Sequence, residues 1–197
     1  MGLMHYFLGL EVWQGDRELC VSQGKYVKKI LQRFCMENWK HMETPLAINW
    51  RKEDTTSSEE VDATIYWKLV GSLMYLVNTR PNMCYAINQL SQVMVRPSKL
   101  FWRDLRYLKG NTQFGIWYRW TKGVKLCGLT DSDEEGSPFG IKSTPGGIFS
   151  IGSANVSWYN MKQIYVALNL AKEEYMIATQ ATCEAISMRK ILVGYFG

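Results

Sequence analysis

The chain has 197 residues, of which 47% are apolar and 21% are charged. This composition supplies enough apolar sequence for a packed core and excludes a chain that is disordered by composition. The longest uncharged apolar run, residues 69–77, is too short to span a bilayer. Residues 1–12 lack the basic start and apolar block of a signal peptide. We therefore expect an intracellular protein, cytoplasmic or nuclear, without a membrane partner.

Cysteine and histidine are too few and too scattered for a zinc site. None of the five cysteines forms a C-x-x-C pair, and the chain has only two histidines. We expect the cysteines to be reduced thiols.

The first third of the chain predicts a β-hairpin followed by a helix. Residues 5–21 read HYFLGLEVW and then ELCVS around a Gly-Asp turn, which is typical of two paired strands. A helix is predicted from Ser22 or Gln23 to about Met36, with one apolar side. Its other side carries Lys25, Lys28, Lys29 and Arg33. This basic side is either a solvated surface or a nucleic-acid contact.

Three further helices are predicted after a polar loop at residues 43–62. Asp62 is a suitable N-cap for a helix over residues 63–77. Pro81 is a suitable first residue for a second helix that ends near residue 94. Ser98 can cap a third helix, and Gly110 ends it.

The segment from residue 96 to residue 125 is the most basic part of the chain, with eight Lys and Arg against one acid. A local basic block in an otherwise near-neutral chain favours a phosphate backbone as partner. The third helix within it places several cations on one face and a tryptophan that could stack on a base. The candidate nucleic-acid-binding residues are Lys99, Trp102, Arg103, Arg106 and Lys109. The alternative is a plain solvated face.

The last third predicts three strands and a long helix. A strand at residues 124–130 runs into an acidic cluster that begins with Asp131, and we expect residues 114–120 to pair with it. Two more strands follow at residues 147–151 and 155–159. The helix is predicted over residues 169–192 with Glu174 in its first full turn. Its expected packing face is Tyr175, Ala178, Thr182, Ala185 and Met188.

Two acids in this segment are the candidate catalytic and metal-binding residues. Asp131 stands at a strand end, and Glu174 would lean over the sheet that the helix packs on. Two Mg²⁺ ions about 4 Å apart require several hard oxygen donors on rigid elements. The alternative for Asp131 and its neighbours is a solvated acidic turn.

Many short strings of this sequence follow one another as in the Pol polyproteins of copia-type LTR retrotransposons, downstream of the polymerase active site. The strings are HYFLGLEV (5–12), SQGKYVKKIL (22–31), TPL (44–46), YWKLVGSLMYLVNTRPNMCYAI (66–87), LRYLKG (105–110), GLTDSD (128–133), KST (142–144), SW (157–158), KQ (162–163) and EEYMIATQATCEA (173–185). Together they cover nearly the whole chain, so the chain resembles this family.

The resemblance implies an α+β protein in two parts. Residues 1–110 would be the last palm strands and the thumb/connection region of a reverse transcriptase, with an N-terminal β-hairpin. Residues 111–197 would be a partial ribonuclease H domain of three strands and a helix. Asp131 matches the first catalytic acid of the family and Glu174 the second. The implied cofactor is Mg²⁺, and the implied partner is an RNA–DNA hybrid or another nucleic acid.

The chain also departs from the family pattern. The Tyr-Val-Asp-Asp strand that holds the polymerase metals is absent, so we expect no polymerase activity. The third and fourth ribonuclease H acids would follow Gly197, and Glu134 and Glu135 replace the usual Trp-Ala of the family. We therefore expect a truncated copy that is inactive as a nuclease. Two alternatives stay open, a non-catalytic nucleic-acid-binding module and a retroelement remnant without a selected function.

Overall fold

The structure is a computed structural model, and it describes residues 3–46, 62–94, 101–133, 144–160 and 170–196. The chain forms two compact units, Met1–Trp117 and Tyr118–Gly197. Five α-helices, a four-stranded sheet and a three-stranded sheet lie within the described ranges, which confirms the predicted α+β class. No helix in those ranges is long and apolar enough to cross a membrane. The division at residue 110 that the resemblance implies stays a prediction.

The N-terminal hairpin has one more turn than predicted. The run that we expected to be one strand is divided into β1 (Tyr6–Phe7) and β2 (Leu10–Gln14). Leu8 and Gly9 connect them, and their φ angles are +48° and +80°. Positive φ at both central residues is the geometry of a tight two-residue hairpin turn. The Tyr75 hydroxyl donates to the Leu8 carbonyl at 2.6 Å and fixes this turn.

The second turn is the predicted one. β2 pairs antiparallel with β3 (Glu18–Ser22), in register from Glu11 opposite Ser22 to Gln14 opposite Leu19. The Gly15 amide donates to the Glu18 carbonyl at 2.8 Å and closes the turn.

Four helices of the first unit agree with the predicted pattern where the structure describes them. They are α1 (Gly24–Arg33), α2 (Ala63–Leu76), α3 (Cys84–Gln92) and α4 (Phe101–Gly110). The Asp62 carboxylate accepts a hydrogen bond from the Thr64 amide at 2.7 Å, so the predicted cap is confirmed. Pro81 opens a 3₁₀ turn, Pro81–Met83, that leads directly into α3.

The core of the first unit lies among these four helices. Each helix contributes apolar side chains that are almost completely inaccessible to solvent. They include Val27, Ile30, Tyr66, Leu69, Leu73, Ile87, Leu90, Leu105 and Leu108. The apolar side that the spacing predicted for α1 is the one that the core buries. On α2 the core buries Tyr66, Leu69, Val70 and Leu73, whereas Ile65 and Met74 are exposed.

The predicted partner of β4 (Gly115–Arg119) is wrong. We expected this strand to pair with the Asp131 strand, but it joins the first sheet, whose order is β1-β2-β3-β4. A Cβ at Gly115 would lie 2.7 Å from the Val21 carbonyl oxygen, so only glycine allows this close approach to β3. Trp117 also packs on Trp13, with ring centroids 5.4 Å apart.

The second unit has the predicted order of strand, strand, strand and helix. β5 (Leu126–Asp133), β6 (Thr144–Ile151) and β7 (Ala154–Asn160) form an antiparallel sheet in chain order. α5 (Leu170–Phe196) packs on β5 and β6.

Candidate functional site

Asp131 lies near the carboxyl end of β5. Its Cα pairs with that of Gly146 in β6, in a register that runs without a bulge from Leu126 to Asp133. The strand end that the sequence indicated is therefore a regular part of the sheet. The position of the Asp131 carboxyl lies outside the described side chains.

Glu174 is the fifth residue of α5, and its side chain is exposed. The helix buries Ile177 and Met188. Glu174 precedes Ile177 by three positions and Met188 by fourteen, so it projects from the same stripe of the helix. To act on the same metal ions the Asp131 and Glu174 carboxylates must lie close together, and we predict that they do.

The packing face that we predicted for α5 is wrong in its first half. Tyr175 is 78% exposed, and Ala178 and Thr182 are exposed as well. The buried stripe is rotated toward Ile177 and Met188. α5 has apolar residues on all sides, so periodicity alone does not select the side that meets the sheet.

The carboxylates suit Mg²⁺ in donor type but not in number. Hard oxygen ligands are what this ion prefers, and two ions need several of them. Within the described residues, no three His, Cys, Asp or Glu side chains lie close enough together to hold a metal ion. The described residues therefore do not form a metal centre by themselves.

The predicted basic face of α4 contacts another part of the same unit, the irregular segment of residues 39–46, which we call the strap. Arg103 donates from Nε to the Thr44 carbonyl at 3.2 Å and from Nη2 to Thr44 Oγ1 at 2.7 Å. Arg106 Nε donates to the Lys40 carbonyl at 2.7 Å. Lys109 Nζ donates to the Trp39 carbonyl at 2.5 Å. Several hydrogen-bond donors of these three side chains are therefore already used within the chain.

Trp102 also contacts the strap. Its ring stacks on that of Trp39 with centroids 6.2 Å apart and an angle of 9° between the ring planes. The stacking platform that we predicted is therefore already in use by an aromatic ring of the same chain. Lys99, the remaining predicted member of this face, lies outside the described residues.

The basic side of α1 is more open than that of α4. Lys28 and Lys29 are exposed, and their side chains make no hydrogen bond or ion pair with any described residue. Lys25 contacts the Tyr6 hydroxyl and the Glu11 carboxylate, the latter at 3.9 Å. Arg33 approaches Ser72 Oγ at 3.5 Å. α1 thus presents two cations that no described group engages.

A cavity that the sequence did not indicate lies beside α1. Its volume is about 400 Å³, and its walls come from β1, the turn at Gly9, β2, α1 and α2. The lining side chains are mainly aromatic or charged, namely Tyr6, Glu11, Lys25, Tyr26, Lys29 and Tyr75. These residues are up to 69 positions apart in the sequence, and no motif connects them.

Comparisons with known proteins identify the origin of the chain. It is 34% identical over 185 residues to the retrovirus-related Pol polyprotein from transposon RE2 of Arabidopsis thaliana, a match that covers 92% of this chain and 13% of the relative. It is 33% identical over 205 residues to that from transposon TNT 1-94 of Nicotiana tabacum, covering 98% of this chain and 15% of the relative. No family model matches the chain, and no solved structure matches it.

A shorter relative has nearly the same extent. The chain is 32% identical over 179 residues to the uncharacterized mitochondrial protein AtMg00810 of Arabidopsis thaliana, and the match covers 89% of this chain and 74% of the relative. The chain thus spans less than a sixth of each of the two Pol polyproteins and most of the shorter protein. These matches confirm the resemblance found in the sequence: the chain belongs to the retrovirus-related Pol polyproteins of copia-type transposons and corresponds to a segment of them.

Proposed function

We propose that this segment derives from the reverse transcriptase and ribonuclease H part of the polyprotein and that it binds RNA–DNA hybrid. The observation that carries the proposal is the pair of basic helix faces on the first unit, because a duplex is bound mainly through its phosphates. α1 offers Lys28 and Lys29 without a partner among the described residues. α4 offers Arg103, Arg106 and Lys109 around the strap.

The second unit supports descent from a ribonuclease H. It has three antiparallel strands followed by a long helix that packs on the first of them. Asp131 is in that first strand, and Glu174, which is exposed, is near the start of the helix on the same side as the buried Ile177. In an ancestral two-metal hydrolysis these acids would be Mg²⁺ ligands. Two carboxylates are too few to hold both ions, so we propose that the chain by itself binds hybrid without cleaving it.

The binding proposal is tested by fluorescence anisotropy of a labelled RNA–DNA hybrid titrated at several salt concentrations. We expect the logarithm of the binding constant to fall linearly with the logarithm of salt concentration. The double variant Lys28→Gln/Lys29→Gln should reduce the slope by about 0.9 for each lost phosphate contact. Lys190→Gln, an exposed charge on α5, is the matched control and should leave the slope unchanged. No measurable binding, or a slope that the α1 variant leaves unchanged, would refute this part.

The nuclease part is tested on the same hybrid in Mg²⁺. We expect no cleavage of the RNA strand above the buffer control. Cleavage that disappears in both Asp131→Asn and Glu174→Gln would show an active ribonuclease H and overturn the proposed inactivity. As an intracellular protein, cytoplasmic or nuclear, the chain would have access to such hybrids, and we propose that location with the function.

A further inference from the structure

The strap lies on the basic face of α4 as a nucleic-acid backbone would. Its contacts with Arg103, Arg106 and Lys109 are made through oxygen acceptors, of which three are main-chain carbonyls and one is the Thr44 hydroxyl. A phosphate backbone would offer oxygen acceptors to the same donors. The strap is anchored to the helix backbone as well, because the Met42 amide donates to the Arg106 carbonyl at 3.2 Å.

The ring contact between the strap and α4 also resembles a contact that a nucleic acid could make. Trp39 and Trp102 are nearly parallel, 9° apart with centroids at 6.2 Å, which is an offset-stacked arrangement. Unpaired bases also stack on aromatic side chains. The strap therefore occupies both kinds of contact that the α4 face could offer to a nucleic acid, the cationic donors and the aromatic platform.

The strap is held in a way that allows displacement. Trp39 is 49% exposed, and Lys40, His41, Glu43 and Thr44 are exposed too. Its acceptors are neutral, whereas a phosphate would add the attraction between opposite charges to hydrogen bonds from the same donors. Exposed polar contacts of this kind contribute little to folding stability. Phosphate groups would therefore compete well for the same three cations.

We infer that the strap is a displaceable cover of the α4 face, so that this face binds nucleic acid only after residues 39–46 have moved away. The inference rests on the proposed nucleic-acid binding and adds its regulation. In the covered state, hybrid is bound through α1 alone. In the open state, Arg103, Arg106 and Lys109 add phosphate contacts, and Trp102 becomes available for stacking.

The geometry allows the strap to be locked. A Cβ placed at Gly110 would lie 3.3 Å from the Cβ of His41, close to the separation of the two Cβ atoms in a disulfide, about 3.5–4.5 Å. The double variant His41→Cys/Gly110→Cys should therefore form a disulfide between the strap and the end of α4. The exposed Cys35, Cys127 and Cys183 are replaced by serine in the same protein, to prevent other pairings.

The locked protein is compared with its own reduced form by hybrid anisotropy over a range of salt concentrations. We expect the reduced form to bind more tightly and with a steeper salt slope, by up to about 2.7 if all three cations gain a phosphate at about 0.9 each. Equal slopes in the oxidised and reduced forms would overturn the inference. Mass spectrometry of the oxidised protein verifies the disulfide, and hydrogen exchange of the α4 amides verifies the fold.

A variant in which the strap is less firmly held gives a second, independent measurement of the salt slope of hybrid binding. Trp39→Ala/Thr44→Ala removes the stacking ring and the side-chain acceptor without changing a charge. We expect a steeper slope than that of the parent, and the gain should disappear when Arg103→Gln, Arg106→Gln and Lys109→Gln are added. A slope no steeper than that of the parent, in a variant that keeps its circular dichroism spectrum, would also overturn the inference. Binding that is lost only in the α1 variant would leave the proposed function standing and exclude the strap as a cover.

Discussion

Arg80 Nη1 donates to the carbonyl of Asn111 at 2.6 Å, one residue after the end of α4. Nη2 donates to the Thr112 carbonyl at 3.2 Å, and the side chain is only 1% exposed. Carbonyls at the end of a helix carry partial negative charge, so they are suitable partners for a buried cation. Burial lowers the pKa of the guanidinium. Arg80 therefore links the turn between α2 and α3 to the end of α4.

Replacing Arg80 with methionine should destabilise the protein by about 2–4 kcal/mol. The variant keeps much of the side-chain volume, but it leaves the partly buried carbonyls of Asn111 and Thr112 without their donors. The measurement is the free energy of unfolding in urea, followed by circular dichroism. Lys28→Met removes an exposed cation and serves as the control, with an expected change within about 0.5 kcal/mol. A loss for Arg80→Met as small as that of the control would contradict this role.

Asp104 should make the stability of the chain depend on pH. Its side chain is fully buried, and neither carboxyl oxygen accepts a hydrogen bond from a described residue. Burial raises the pKa of this carboxyl to about 8, against smaller opposite effects of its own backbone amide and Arg103. In the unfolded chain the pKa is that of an ordinary aspartate, about 3.9. The unfolded state thus releases this proton first as the pH rises, so the contribution of this group to stability is greatest below about pH 4 and falls up to about pH 8.

The slope that this one group contributes is at most about 1.4 kcal/mol per pH unit. Urea unfolding at a series of pH values measures it. Asp104→Asn, which does not titrate, should remove that part of the slope, whereas Asp16→Asn on the exposed hairpin turn should keep it. A pH dependence that is the same in all three proteins would show that Asp104 is not the responsible group.

Local patterns in the sequence predicted the elements but not all of their neighbours. The cap at Asp62, the apolar stripe of α1 and the order from β5 to α5 follow from spacing and side-chain chemistry, and all three are found. The partner of β4 was wrong, because both sheets offered an apolar strand and only the close approach at Gly115 selects β3. Pairing between distant strands is decided by contacts that the local sequence does not contain.

For the candidate sites too, the sequence predicted which residue types are present but not which groups they contact. The sequence located the cations of α4 but not their contacts with the strap. These contacts are made mainly to main-chain carbonyls, and because every residue has one, no residue type in the sequence indicates such a contact. Asp104 could have been recognised, since it is four residues before the buried Leu108 and therefore on the apolar side of the helix. The residues around the cavity beside α1 had no such signal, because they meet only through the packing of four elements.

Replacing Leu129 with lysine should reduce self-association. Within the described residues β5 pairs only with β6, and Leu129 is 73% exposed on it. An apolar strand with unpaired main-chain groups can pair with another chain, and a lysine on such a strand opposes this. Sedimentation velocity at increasing protein concentration should show less association for Leu129→Lys than for the parent. Leu129→Met, which retains an apolar side chain, is the control. Identical association of all three proteins would contradict the prediction.

Gly146 and Gly147, adjacent in β6, should respond oppositely to the same substitution. A Cβ at Gly147 would lie 2.3 Å from Tyr159 Cζ and 2.5 Å from Cε1, so the ring would have to leave its place on the sheet. Among the described residues, a Cβ at Gly146 would meet no atom closer than 3.9 Å. We expect Gly147→Ala to cost about 1–3 kcal/mol through overpacking. Gly146→Ala should be neutral or stabilise by up to about 1 kcal/mol, because alanine restricts the unfolded chain.

Hydrogen exchange of the β6 and β7 amides measures this difference in the second unit directly, independent of the unfolding of the first unit. Faster exchange in Gly147→Ala and unchanged or slower exchange in Gly146→Ala are the expected results. The double variant Gly147→Ala/Tyr159→Leu tests the cause, because removing the phenol ring should recover part of the lost protection. Equal protection in the two single variants would mean that Tyr159 does not pack against Gly147 in solution, and the register that pairs these residues would then be in doubt.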